Sequence, residues 1–196
     1  MRKRKQWYLY FLALLFFIQT AYADAGLPMI ILVMPSMVVL LVPIILIEAC
    51  VLAKYLCLNF SKVLMGASIG NIVSTIFGIP LTWGVMTGLE FLITSGGRAY
   101  GDEVWWQKLI AVTIQAPWMV PYEEQFYWMV PAALAFLMIP FFFISWAIEG
   151  FFVKITIDKS IRQNAYRASF YANLASYAFL ELCILVYLLI NIIKHP

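Results

Sequence analysis

The sequence predicts an all-α integral membrane protein. Four transmembrane helices form two similar helical hairpins (a parallel pseudo-repeat), with an interfacial helix in the outer connection between them. Three observations predict it. The chain has 196 residues, 64% hydrophobic and 12% charged, whereas a soluble domain carries about 45–50% apolar and about 25% charged residues. Its apolar residues gather into four membrane-length stretches behind a shorter N-terminal run. Each half also contains Ile-Glu followed by a small residue, and then Asn-x-x-Ser.

The N-terminal run comes first. Arg2, Lys3, Arg4 and Lys5 precede twelve apolar residues, WYLYFLALLFFI, and Ala21-Tyr22-Ala23 offers small residues where a signal peptidase reads. Twelve residues fall short of the about 20 that span a bilayer. Residues 1–23 therefore read as a cleavable signal peptide, cut before Asp24. Its four cations account for the positive formal charge of +3; without it nine basic residues of the 13 face all ten acidic ones. No basic patch remains to attract nucleic acid.

The first hairpin covers residues 24–94. Its first span runs over about 29–53, broken only by Ser36 and Glu48. Its second runs over 63–94, and 32 helical residues would reach roughly 48 Å against about 30 Å of hydrocarbon. Gly78-Ile79-Pro80 should kink it, because proline lacks an amide donor and crowds the preceding turn. Gly66-x-x-x-Gly70 at its start is a close-packing pattern for membrane helices.

The outer connection covers residues 95–127. SGGRAYGDE opens it as a turn, and an apolar stretch ended by Pro117 and Pro121 follows. That stretch is too short to span. Trp105, Trp106, Trp118 and Tyr122 suit a membrane interface, where a ring is half wet. The segment reads as an interfacial or re-entrant helix, or as ordinary aromatic anchoring.

The second hairpin covers residues 128–196, with spans over about 128–153, containing Pro131 and Pro140, and about 168–193. The two short connections carry Lys54, Lys62, Lys154, Lys159, Arg162 and Arg167; the other side carries Arg98, Lys108 and Lys194. The positive-inside rule then places the short connections in the cytoplasm. The expected location is a bacterial inner membrane, multi-pass, with the mature N-terminus and the C-terminus on the periplasmic side.

The halves align on a few polar residues. Glu48 precedes Asn71 by 23 positions and Glu149 precedes Asn173 by 24, with Ser74 and Ser176 three residues beyond each Asn. Glu48 lies about 9 Å along the helix from Lys54, Asn71 about 14 Å from Lys62, and Asn173 about 9 Å from Arg167. These groups share one layer on the cytoplasmic side. Asn and Ser at i, i+3 share a helix face, so each pair is expected to face the Glu of its own hairpin, with Thr75 and Tyr177 adding hydroxyls. Glu90 is expected near the interface. Glu181, about 21 Å from Arg167, could with Glu90 and the Pro80 kink extend a polar path outward.

Charged residues at such depth face a bundle interior or a watery cavity. Carboxylate, amide and hydroxyl oxygens suit H⁺ or Na⁺, and no other cofactor is implied. The bland reading is a hydrogen-bonded fastening between helices. Cys50, Cys57 and Cys183 form no C-x-x-C pair and His195 is the lone histidine, so no zinc site is predicted. Catalytic motifs such as G-x-S-x-G and H-E-x-x-H are absent, which leans against an enzyme. Two readings remain. One is an accessory, scaffold or assembly subunit of a membrane complex. The other is a small oligomeric proton- or cation-coupled transporter or channel subunit. Expected partners are lipid, further copies of the chain, or other membrane-protein subunits.

Overall fold

A computed structural model of the chain describes residues 29–94, 104–114 and 126–194. The expected signal segment, residues 1–23, and Trp118 and Tyr122 lie outside them. Among the described residues every regular element is helical. Four helical segments are long and apolar enough to cross a membrane: Ser36–Leu56, Phe60–Ile93, Tyr127–Thr156 and Lys159–Lys194.

Helix α1 covers Met29–Leu56. It stops because Cys57 adopts a left-handed φ of 52°, which lets the Leu58 amide fold back onto the Ala53 carbonyl at 3.1 Å. This is the six-residue closure typical of helix C-termini, here with a non-glycine residue in the left-handed position at a cost of about 1–2 kcal/mol. Asn59 is extended and starts α2, Phe60–Val73.

The second span does not break at Pro80. Instead Ser74–Gly78 forms a π-helical turn between α2 and α3, Ile79–Thr94. Pro80 offers no N–H to the Ile76 carbonyl and its ring crowds that carbonyl. Widening the turn accommodates the proline without ending the helix. Thr82 contributes by donating to the Gly78 carbonyl at 2.7 Å.

Short helix α4, Trp105–Thr113, rests Ala111 and Val112 in the same apolar cluster as Met129 and Ala133. Its nine residues extend about 14 Å. Trp105 and Trp106 point outward and are exposed. Helix α5, Phe126–Thr156, carries Pro131 and Pro140 inside it. Asp158 is extended, a 3₁₀ turn covers Lys159–Asn164, and α6 runs over Ala165–Lys194.

Helix α1 packs on α2 and α6, and α5 packs on the same two helices. The bundle order is therefore α1, α2, α5, α6, with α1 and α5 at opposite corners. Both short connections lie at one end, where Lys62 Nζ meets Asp158 Oδ2 at 2.6 Å. Near this tip end the core is built from small and medium side chains, among them Ala49, Leu52, Val63, Ala67, Ala168 and Ala172. Nearer the other end it consists of bulkier Met86, Met129, Leu137, Met138 and Phe141. A methyl at Gly66 would sit 2.5 Å from Thr156 Oγ1, and one at Gly70 would sit 3.2 Å from Glu149 Cγ. These two glycines let α2 close on α5.

Candidate functional site

Between the two apolar cores lies a polar layer. Glu48, Asn71, Ser74, Glu149, Ser169, Asn173 and Ser176 are all buried. Glu48 comes from α1 and Glu149 from α5, so the two acids enter from opposite corners. Asn71 and Ser74 come from the second span, Asn173 and Ser176 from α6.

The bonding is reciprocal. Asn71 Nδ2 donates to Glu48 Oε2 at 2.5 Å and Ser176 Oγ donates to Glu48 Oε1 at 2.6 Å. Asn173 Nδ2 donates to Glu149 Oε2 at 2.6 Å and Ser74 Oγ donates to Glu149 Oε1 at 2.8 Å. Each acid thus takes its amide from its own hairpin and its hydroxyl from the other. The expectation that each Asn/Ser pair faces its own Glu holds for the asparagines and fails for the serines. The ring order explains this: α1 touches both α2 and α6, and three residues past an asparagine the helix face has turned toward the next corner.

Local bonds hold the donors in place. The remaining Asn71 hydrogen goes to the Ala67 carbonyl at 3.0 Å, and that of Asn173 goes to the Ser169 carbonyl at 3.1 Å. Each serine also lies within reach of the carbonyl three residues back, at 3.1 Å in both cases. Interhelical polar bonds in membranes contribute about 0.6–2 kcal/mol each, enough to select helix pairing but modest as stability.

Tyr177 does not join the acids. Its hydroxyl donates to Ser145 Oγ at 2.9 Å. Ser145 was missed in the sequence, although it lies four residues before Glu149 and so shares its helix face. Thr75 lies beside the layer and lines a cavity of about 450 Å³. That cavity extends from Asn71, Ser74 and Glu149 toward Ser36 and Tyr187, between walls of α1, the second span, α5 and α6.

The expected outward polar path takes a different form. Glu90 is buried, one turn before the end of α3. Neither Glu90 nor Glu181 lines the cavity, whose wall at that level is Leu180, Cys183 and Ile184. Glu181 lies about 100° around α6 from Leu180, which turns it off the cavity. Among the described residues no cluster of three His, Cys, Asp or Glu is placed to hold a metal ion.

Fold and site together define a class: an all-helical protein with four helices of membrane length and a buried Glu/Asn/Ser layer. Compared with known protein families, curated proteins and solved structures, the chain matches none of them.

Proposed function

We propose that this chain is an accessory, scaffold or assembly subunit of a membrane complex, built as two parallel hairpin repeats that the polar layer clasps together. The observation that carries this reading is the saturation of both acids: every carboxyl oxygen of Glu48 and Glu149 receives a donor from a neighbouring helix. A cation would need those oxygens as ligands, and here they are already engaged in joining four helices. The matching burial of Glu48, Ala49 and Leu52 with Glu149, Gly150 and Val153 supports the repeat.

The placement in the cell belongs to the same proposal. Residues 1–23 act as a cleaved signal, the short connections face the cytoplasm of a bacterium, and α4 lies at the outer interface with Trp105 and Trp106 in the headgroups. The exposed apolar side chains, such as Val39, Phe91 and Leu182, meet lipid or partner helices. Purification in mild detergent tests the reading: a stoichiometric membrane-protein partner is expected, and a lone homo-oligomer overturns it.

One observation favours the second reading. Glu149 is among the residues that line the cavity, as an ion path through the layer requires at one end. Proton or sodium flux in liposomes that disappears in Glu48→Gln and Glu149→Gln would support a coupled transporter; no flux, or flux that survives both substitutions, counts against it.

A further inference from the structure

We propose that the 450 Å³ cavity is a binding site for a neutral, hydroxyl-bearing amphiphile from the membrane, with its head on the polar floor and its chain along the apolar walls. This inference does not depend on the accessory-subunit reading. The volume falls within the about 300–1,000 Å³ range of small-molecule sites. At about 30 Å³ for each water-sized unit it holds roughly fifteen, which suits one chain rather than a whole phospholipid.

The walls argue for a chain. Met37, Leu41, Leu134, Met138, Leu180 and Ile184 line the cavity between the floor and the far end. Water fills such a space poorly because it finds too few polar partners. The two methionines are unbranched and adapt to chains of differing shape.

The floor argues for a hydroxyl. Both amide hydrogens of Asn71 are committed, to Glu48 and to the Ala67 carbonyl, which leaves Oδ1 as its free acceptor. Ser145 accepts from Tyr177 and keeps its own hydrogen to donate. The Thr75 hydroxyl makes no side-chain hydrogen bond among the described residues. Asn71, Thr75 and Ser145 line the same cavity and offer it one acceptor and two donors, and a hydroxyl both donates and accepts. An anionic head is disfavoured because Glu149 lies beside it and no Lys, Arg or His lines the cavity. An ammonium head would lack a free carboxylate, since each oxygen of Glu149 already has its donor.

Photolabelling of the full chain in lipid nanodiscs tests this. The probes are a diazirine-bearing long-chain primary alcohol, the fatty acid of the same length, and the corresponding hydrocarbon. The expected result is alcohol labelling concentrated at Met37, Leu134 and Met138, at least tenfold above the fatty acid. Leu41→Trp with Met138→Trp, which fills the cavity, should abolish that labelling. Thr75→Val with Ser145→Ala should lower it about tenfold while leaving hydrocarbon labelling unchanged. Because the tryptophan pair could disturb folding, the hydroxyl-removing pair stands as an independent arm. The proposal is overturned by equal labelling from the fatty acid, or by label spread evenly over outward residues such as Leu92. Unchanged alcohol labelling in the Thr75→Val, Ser145→Ala chain overturns it too, as does a cavity that cross-links only to residues 1–28 of the same chain.

Discussion

Ser74 donates to Glu149 at 2.8 Å across the hairpin boundary, while Asn71, one helical turn earlier, donates to Glu48 within its own hairpin. A single helix face thereby serves both acids. The hairpins are joined through the same residues that close each of them, so separating them would break two hydroxyl–carboxyl bonds in the interior.

That crossing predicts a specific pattern of coupling. In double-mutant cycles, Ser74→Ala should couple to Glu149→Gln, and Ser176→Ala to Glu48→Gln, by about 0.5–2 kcal/mol. The within-hairpin pairs, Ser74 with Glu48 and Ser176 with Glu149, should couple more weakly. Thermal unfolding in detergent reads the four cycles, and stronger coupling within hairpins contradicts the crossed arrangement.

Removing an amide donor should cost more than removing a serine. Asn173→Leu takes away the bond to Glu149 and leaves Oε2 of that acid buried without its partner. An unsatisfied buried acceptor costs about 1–3 kcal/mol. Asn173→Asp should be worse, since it puts a third carboxyl into the layer. Melting temperatures of the purified variants should fall in the order wild type, Asn173→Leu, Asn173→Asp.

The contact of α2 with α5 predicts a size exchange. Gly66→Ala drives a methyl to within 2.5 Å of Thr156 Oγ1, and overpacking of this kind costs about 1–3 kcal/mol. Adding Thr156→Ala removes the clashing hydroxyl and should recover most of the loss. Failure of the double variant to recover would place the strain elsewhere.

Lys62 and Asp158 are both largely exposed, with 46% and 59% of their side-chain surface accessible. Their ion pair should therefore contribute no more than about 1 kcal/mol, and less at high salt. Cysteines at the two positions should nonetheless be joined by a short bifunctional thiol reagent. The same cysteines test orientation in intact cells: an impermeant maleimide should reach them only after the membrane is permeabilised.

Much of the architecture follows from composition and spacing. The excess of apolar residues requires lipid as solvent, and the lengths of the apolar stretches set four helices of membrane length, which the structure contains. Helical rise alone brings Glu48, Asn71, Glu149 and Asn173 to one level, because depth along a helix depends only on residue number. The π turn was not legible in that way. Pro80 announces a disturbance, but whether the helix bends, breaks or widens depends on whether its neighbours support the altered turn.

Which serine meets which acid was decided only in the tertiary structure. Spacing tells how far apart two groups lie along a helix, while partner choice depends on the order of helices around the bundle. That order follows from the close approach of α2 to α5 at Gly66 and Gly70. The same is true of the cavity and of Ser145: a gap between helices exists only once all four are packed. The sequence by itself determined the solvent, the helices and the level of the polar layer, because each depends on local composition or on distance along the chain. The crossed bonds and the space above them came from packing, because they join residues up to 128 positions apart.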